Sequence, residues 1–267
     1  MSLLRLIARL DIKGSSVVKG VQMEGLRVVG DPVEMATAYA QEVDGRRNAD
    51  EILYIDIVAS LYGRNHLEAL LEKTTDQVFI PVTVGGGIRS KADARRLFNA
   101  GADKIAVNTA AIERPDLINE LAEYYGRQAI VISIEAKRCS YGWECFTNNG
   151  RERSGKSAVD WSLDAVKRGA GELLITSIDR DGTRRGFDVD LVRAIASLVS
   201  VPVIASGGMG TLGHLRSVLI DGKADAVAVG SALHYGLVSF STMRESLRGH
   251  SLPLLVRPVG TESQQAE

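Results

Sequence analysis

The sequence predicts an α/β fold, a (β/α)8 TIM barrel built from two half-barrel repeats. Eight short runs rich in Val, Ile and Leu recur along the chain, and amphipathic stretches separate them. Segments of the first half also recur about 121–124 residues later. Alternating strands and helices form a parallel sheet with right-handed crossovers, and eight units favour its closure into a barrel.

The predicted strands are mostly continuous apolar runs, which is typical of parallel strands covered by helices. They occupy residues 4–10, 52–57, 78–84, 104–107, 129–134, 173–176, 201–205 and 226–229. Helices are predicted over residues 91–99, 115–125, 158–168 and 190–198. Ser90 is expected to cap the first of these, and Gly101 to end it. An open doubly wound sheet is the alternative architecture.

Four segments of the first half resemble four segments of the second half in residue type and order. The matched pairs are 10–13 with 134–137, 51–53 with 172–174, 81–88 with 202–209, and 102–110 with 224–232. An open sheet gives no reason for such symmetry. The repeat therefore favours two half-barrels of four βα units each.

Length and charge limit the classes of partner. The 267 residues suit one large domain, so we expect the barrel over residues 1–255 and a flexible tail over residues 256–267. The 32 Lys and Arg balance the 33 Asp and Glu to a net charge of −1, so neither nucleic acid nor a membrane is expected as a partner. The two cysteines form no CxxC motif, so we predict no metal site. Two thiols in a chain of this length suit a reducing compartment, and no apolar run reaches about 18 residues, so we predict a cytoplasmic protein.

Two glycine-rich turns follow predicted strands at equivalent places in the repeat, at residues 85–87 and 206–208. Glycine lets a backbone approach a ligand and point N–H groups at an anion. One βα unit later, each half has a small residue pair at a helix start, where the helix dipole favours negative charge. The residues predicted to bind phosphate are Gly87, Asn108, Thr109, Gly207, Gly208, Gly230 and Ser231. The alternative is that the glycines only make tight turns; the matched pairs favour two equivalent phosphate sites and a ligand phosphorylated at both ends.

Two carboxylates end strands on opposite sides of the predicted barrel mouth, Asp11 on the first strand and Glu135 on the fifth. Carboxylates at the carboxyl ends of barrel strands are typical of catalytic residues, and two between two phosphates suit general acid–base chemistry. The alternative is a salt bridge to Lys13, Lys19 or Lys137. Further polar residues lie at the ends of the second and sixth strands and in the loop after the sixth, and they are expected to orient substrate hydroxyls or the acids. They are Asp56, Thr176, Ser177 and Asp181. Asp181 and Gly182 are also predicted to bind the substrate or its phosphate.

The chain resembles the cyclase subunit of imidazole glycerol phosphate synthase, from about residue 5 to residue 240. The matching segments are residues 10–13, 17–20, 30–32, 81–89, 101–109, 169–182 and 204–208. Residues 177–183 and 136–138 separate it from the sister isomerase barrel of the same pathway. The combination is more specific than any one glycine motif.

The resemblance implies a lyase of histidine biosynthesis that needs no cofactor. A glutaminase partner would release ammonia, which would pass through the barrel to a bisphosphorylated formimino carboxamide ribulotide. The products would be imidazole glycerol phosphate and an aminoimidazole carboxamide ribotide. The resemblance makes Asp11 one acid–base residue, places Glu135 where the family normally has an aspartate, and gives Lys19 a substrate contact.

The resemblance also implies an ammonia gate at the N-terminal face of the barrel, where the glutaminase would dock to form a heterodimer. The matching residues are Arg5, Glu51, Lys104 and Glu172. Four charges of alternating sign at strand starts are expected to close into a ring.

Three departures from the family pattern stand out: Glu135, Arg9 and an apparent insertion over residues 44–48 on the docking face. Arg9 shares a strand face with Asp11, so it should point into the barrel and need an anionic partner. We expect that partner to be Glu135, with a lowered Glu135 pKa, and we expect Arg9 to narrow the ammonia path. These departures leave two alternatives: a paralogous barrel that conducts ammonia for amidination of a surface-glycan sugar, and a non-catalytic ligand-binding barrel.

Overall fold

A computed structural model of the chain describes residues 4–43, 46–59 and 67–248, and for residues 43, 46 and 47 it describes the backbone alone. The tail predicted over residues 256–267 lies outside these residues. Eight parallel strands form the barrel: β1 (Arg5–Lys13), β2 (Glu51–Asp56), β3 (Val82–Gly85), β4 (Lys104–Val107), β5 (Ile130–Cys139), β6 (Glu172–Ser177), β7 (Val203–Ser206) and β8 (Ala226–Val229).

The barrel is closed, because β1 pairs in parallel with both β2 and β8. Each remaining strand pairs in parallel with its neighbours in chain order, including β4 with β5 across the junction of the two halves. The predicted TIM barrel is therefore confirmed, and an open doubly wound sheet is excluded.

Helices follow the strands around the outside. They are α1 (Pro32–Ala40), α2 (Leu67–Thr75), α3 (Lys91–Asn99), α4 (Thr109–Glu113), α5 (Asp116–Tyr125), α6 (Ala158–Arg168), α7 (Val189–Ala196), α8 (Leu212–Ile220), α9 (Ser231–His234) and α10 (Phe240–Ser246). Ser90 caps α3 by accepting the backbone N–H of Asp93, as predicted. In the described part of the chain, no helix is both long and apolar enough to cross a bilayer.

Two strands start later than predicted, and proline explains both. The runs at residues 78–84 and 201–205 become strands only at Val82 and Val203. Pro81 and Pro202 have no N–H to donate to the ladder. Their carbonyls instead accept the N–H of Ile52 at 2.9 Å and of Leu173 at 3.0 Å, so the two half-barrels begin these strands in the same way.

Two antiparallel hairpins stand above the mouth and were not predicted. The first hairpin (Ser16–Val21 and Glu24–Gly30) extends β1, and the second hairpin (Gly142–Thr147 and Glu152–Ser157) extends β5. They occupy equivalent places in the repeat. Because their outer strands are largely exposed, no apolar run marks them in the sequence.

The apparent insertion at residues 44–48 lies between α1 and β2. There Glu42–Val43 and Arg46–Arg47 form a small antiparallel ladder. Residues 44 and 45 are outside the described part of the chain.

Because side chains alternate between the two faces of each strand, the barrel has two separate groups of buried residues. Outward-facing side chains pack against the helices in one large apolar cluster. Inward-facing apolar residues form a second cluster inside the barrel, and charged or hydroxyl side chains lie above and below it. These inward positions build the site.

Candidate active site

Asp11 and Glu135 end the inward-facing series on β1 and β5, and both are buried. Strands one and five of eight lie on opposite sides of a barrel. The register fixes this placement, because Asp11 lies beside Ile55 of β2 and Glu135 beside Thr176 of β6. The two predicted acids thus face the mouth from opposite walls.

Asp11 is held as a carboxylate by two buried cations. Lys19 Nζ lies 2.6 Å from Asp11 Oδ2, and Arg9 Nε donates to Asp11 Oδ1 at 2.8 Å. Burial by itself raises the pKa of Asp11, but Arg9 and Lys19 outweigh it and hold the pKa well below its ordinary range. The salt bridge considered from sequence is present, and it runs to Lys19.

Lys19 reaches this position from the first hairpin and also binds Asp181 of the loop after β6, at 3.0 Å from Oδ1. Burial opposes its charge, but Asp11 and Asp181 raise the pKa of Lys19 above its ordinary value. Lys19 is therefore a buried ammonium that ties the first hairpin to two carboxylates at the mouth.

The expected pairing of Arg9 with Glu135 is wrong. Besides Asp11, the Arg9 guanidinium donates from Nη1 to Thr176 Oγ1 at 2.9 Å and to Ser206 Oγ at 3.0 Å. The Arg9 side chain lies along its own strand, toward the mouth. Asp11 is two residues further along β1, on the same face and about 6.6 Å from Arg9. Asp11 is thus the nearer carboxylate.

The expected lowering of the Glu135 pKa is also wrong. Burial is the largest influence and raises the pKa of Glu135 to about 7, although Arg9 and the backbone N–H of Gly150 act in the opposite direction. Gly150 N donates to Glu135 Oε2 at 2.8 Å. Near neutral pH Glu135 therefore exchanges a proton, whereas Asp11 stays ionised.

Among the cavities that the described residues form at the mouth, two contain the predicted phosphate-binding residues, one for each half of the repeat. The first cavity, of about 180 Å³, is lined by Asp56, Gly87, Asn108, Thr109, Ser133 and Glu135 among others. The second cavity, of about 20 Å³, is lined by residues of three loops and by two cations. They include Arg9, Lys19, Asp181, Gly182, Gly207, Gly208, Gly230 and Ser231. The predicted phosphate-binding residues thus separate into two groups as the repeat requires.

The two cavities differ in the side chains that line them. Arg9 of the first half corresponds to Ser133 of the second half, since residues 10–13 match residues 134–137. The small Ser133 lines the first cavity, whereas the charged side chains of Arg9 and Lys19 line the second.

Both cavities meet a helix start that no side chain caps. Asn108 precedes α4 and Gly230 precedes α9, and the two residues share one backbone conformation, with φ −123° and ψ −88° against φ −116° and ψ −87°. In neither α4 nor α9 does a first-turn N–H group donate to an N-cap side chain. Such N–H groups suit an anion.

The turn of the second hairpin brings unpredicted residues to the first cavity. Asn148 and Asn149 line it, and both have a left-handed backbone, with φ 52° and 58°. Asn148 N donates to Thr109 Oγ1 at 3.1 Å. The Asn-Asn-Gly sequence at residues 148–150 is a turn signal that could have located this segment.

Two other polar residues predicted at the mouth make hydrogen bonds within the protein. Asp56 Oδ1 accepts the backbone N–H groups of Val58 and Ala59, so this carboxylate closes the turn after β2. The Thr176 hydroxyl accepts from Arg9. Within the described residues, no group of three or more His, Cys, Asp or Glu side chains could hold a metal.

At the opposite end of the barrel, four charged side chains form a closed ring. Arg5 Nη1 lies 2.9 Å from Glu51 and 3.1 Å from Glu172, and Lys104 Nζ lies 3.1 Å from each of the same two glutamates. Thr83 supports this ionic ring by donating to Glu51 Oε1 at 2.6 Å, a contact that was not predicted. The ring spans the floor of the barrel at the strand starts; its role as an ammonia gate stays a prediction.

Comparison with known proteins adds to this geometry. A family model described as "Histidine biosynthesis protein" matches residues 5–239. Over 213 residues the chain is 57% identical to "Imidazole glycerol phosphate synthase subunit HisF" of Legionella pneumophila, which covers 79% of this chain and 98% of that protein. A protein of the same name from Thermosynechococcus vestitus is 46% identical over 256 residues, or 94% of this chain and 89% of that protein.

Proposed function

The chain belongs to the histidine biosynthesis protein family, and we propose that it is the ammonia-dependent cyclase subunit of imidazole glycerol phosphate synthase. The observation that carries this proposal is the pair of acids at the mouth. Asp11 is ionised and Glu135 titrates near neutrality, and they face each other beside two cavities with uncapped helix starts.

The proposed substrate is a bisphosphorylated formimino carboxamide ribulotide. Each phosphate would take the N–H groups of one helix start, at Thr109 in the first cavity and at Ser231 in the second. The glycine turns at Gly87 and Gly207 would let the backbone approach the ligand. Lys19 and Asp181 would contact the substrate between the two ends.

The reaction adds ammonia to the ribulosyl carbonyl carbon with loss of water. The new nitrogen then closes the imidazole ring on the formimino carbon, and the bond from that carbon to the aminoimidazole carboxamide ribotide breaks. Substrate and ammonia thus give imidazole glycerol phosphate, the ribotide and water. Glu135, whose pKa is about 7, donates protons to the departing oxygen and nitrogen and takes up those that the attacking nitrogen loses. Asp11, held as a carboxylate, stabilises the positive charge that develops in the reaction.

Ammonia would enter from the other end of the barrel. The ionic ring of Arg5, Glu51, Lys104 and Glu172 lies there, beneath an apolar interior. Both relatives are named as subunits of a synthase, which supports a complex for this chain. We propose that a glutaminase docks on the N-terminal face, over the ring, and releases ammonia into it.

The conduit for a surface-glycan amidotransferase is less well supported. Both relatives bear the synthase name, and 57% identity covers nearly the whole of one of them. A conduit also has no need of two acids in opposite charge states. The non-catalytic barrel is disfavoured on the same ground.

The test is turnover by the purified chain. With the bisphosphorylated substrate and an ammonium salt at pH 8, we expect imidazole glycerol phosphate and the ribotide in equal amounts, measured by mass spectrometry. The Asp11→Asn variant, checked for folding, should form neither. Wild-type protein that binds the substrate and leaves it unchanged would refute the cyclase.

A further inference from the structure

Arg9 lies inside the barrel, between the ionic ring below and the two cavities above. It shares the inward face of β1 with Arg5 and Asp11, and only 4% of its surface is exposed. Four residues of extended strand separate Arg5 from Arg9, which is about 13 Å along β1. The two cations therefore occupy different levels of one interior.

Between these levels the interior is lined by apolar side chains. They include Ile7, Leu53, Val131, Leu174, Ile204 and Ala226. Such a layer admits neutral ammonia far more readily than ammonium, because an ion loses its hydration on entering an apolar space. A molecule that enters at the ring must cross this layer and then pass the level of Arg9.

At the level of Arg9, the arginine side chain occupies the side of the barrel formed by β6, β7, β8 and β1. Ala228 on β8 is small, which leaves room for the arginine side chain beside it. Beyond β8 the guanidinium reaches Ser206 on β7 and Thr176 on β6. Its hydrogen bonds therefore reach partners on β6, β7 and β1, and the side chain passes β8 and lines the second cavity.

The opposite side of the barrel has no such barrier at the matching positions. In the other half of the repeat, Ser133 corresponds to Arg9. Likewise Ile55 corresponds to Thr176, and Gly85 corresponds to Ser206. Ser133 lines the first cavity together with Glu135, and its short side chain does not reach across to neighbouring strands as Arg9 does. At the level of Arg9 the interior therefore opens toward Glu135.

We propose that Arg9 is a fixed barrier that directs ammonia to the Glu135 side of the mouth and closes the way into the second cavity. This inference rests on the proposed function. Arg9 is a positioning residue, which acts on the path of ammonia and on the Asp11 carboxylate. It stays in place because moving it would leave a buried carboxylate and a buried guanidinium without each other.

Two variants separate the volume of Arg9 from its charge. Arg9→Ser copies the matching Ser133 and opens the second side, whereas Arg9→Met fills the space without hydrogen bonds. For each, the glutamine-driven rate with the glutaminase partner is divided by the rate with saturating ammonium salt. Loss of the Asp11 contact lowers both rates and cancels in the ratio.

We expect this ratio to fall roughly threefold or more in Arg9→Ser, because ammonia then escapes away from Glu135, and to stay at the wild-type value in Arg9→Met. An unchanged ratio in Arg9→Ser would place Arg9 off the path. A higher ratio would show that Arg9 obstructs delivery. Either result, or an equal fall in Arg9→Met, overturns the proposal.

Crystal structures give a reading that needs no activity, because a polar space opened by a substitution takes up ordered water. In the wild type the Arg9 guanidinium fills the space between the Thr176 and Ser206 hydroxyls. Wild-type and Arg9→Met crystals should show no water in that space, and Arg9→Ser crystals should show it there. Water there in the wild type, or none in Arg9→Ser, would contradict the barrier. If the wild type makes no product, the proposed function fails, and the water positions still decide the role of Arg9.

Discussion

Glu135 accepts the backbone N–H of Gly150 at 2.8 Å, so the turn of the second hairpin fixes the orientation of this carboxyl group. A single N–H donor does not offset complete burial, and the pKa of Glu135 remains at about 7. The contact positions Glu135 while leaving it able to exchange a proton at the working pH of a cell.

The first prediction concerns activity. If protonated Glu135 is the general acid, turnover at a fixed concentration of free ammonia should fall as the pH rises through about 7. Glu135→Gln should lower turnover by about 100-fold and remove this pH dependence. Rates measured between pH 5.5 and 9 test it, and a pH limb that persists in Glu135→Gln would assign the titration to another group.

The second prediction concerns stability. A carboxyl whose pKa rises from 4.5 unfolded to about 7 folded binds more protons in the folded state between these values. The free energy of unfolding therefore falls as the pH rises from about 4.5 to about 7, because the protein loses the stability that the Glu135 proton provides. The total loss is about 3 kcal/mol. Urea unfolding at pH 5 and pH 8 should show this loss in wild type relative to Glu135→Gln. Parallel pH dependence in the two proteins would contradict it.

Asp11 and Arg9 provide the third prediction. Asp11→Asn removes the carboxylate that compensates two buried cations, so it should destabilise the fold by about 3–5 kcal/mol and abolish turnover. Adding Arg9→Met should recover part of the stability and none of the turnover. Denaturant midpoints and rates of both variants measure this, and a double variant no more stable than Asp11→Asn would argue against the pairing.

Two glycines of the second cavity should respond differently to alanine. A Cβ on Gly208, whose φ is +102°, would lie 2.2 Å from Gly186 O, so Gly208→Ala should destabilise the fold by at least about 1–3 kcal/mol. Gly230 has the backbone conformation that Asn108 already adopts, and its Cβ would lie 3.3 Å from Arg9 O.

Gly230→Ala should therefore cost less than about 1 kcal/mol in unfolding free energy, yet weaken substrate binding, because Gly230 lines the second cavity, where the added methyl group would crowd the ligand. Calorimetric titration with the substrate and thermal unfolding measure the two effects. Substrate affinity equal to wild type would remove Gly230 from the binding site.

The ionic ring gives a fifth prediction. Lys104→Met leaves Glu51 and Glu172 facing each other with Arg5 as their remaining partner. With the glutaminase, the amount of product per glutamate released should fall by about half or more, because the floor no longer closes around the incoming ammonia. Arg168→Met is the control, because it replaces with methionine a cation that forms ion pairs on the outside of the barrel. Equal yields from Lys104→Met and wild type would separate the ring from ammonia transfer.

The barrel could be predicted from sequence because its strands are buried on both faces and its halves repeat. Residues 104–107 and 226–229 were predicted with the bounds that the structure gives. The hairpins above the mouth were missed because their outer strands are exposed and carry no apolar run.

Alternation along β1 correctly placed Arg9 inside the barrel, but alternation does not say which carboxylate a long side chain reaches. Arg9 binds Asp11 on its own strand and makes no hydrogen bond to Glu135. Burial is therefore the largest influence on Glu135, and the Glu135 pKa is raised, whereas we expected it to be lowered. The different lining of the two cavities follows from the same residue, because Arg9 stands where the other half has Ser133.

Growth of a histidine auxotroph that lacks its own cyclase subunit tests the proposed activity most directly. The wild-type chain, expressed with its glutaminase or with ammonium supplied, should restore growth without histidine, and Asp11→Asn should not. Failure of a folded, well-expressed wild-type chain to restore growth would contradict the cyclase.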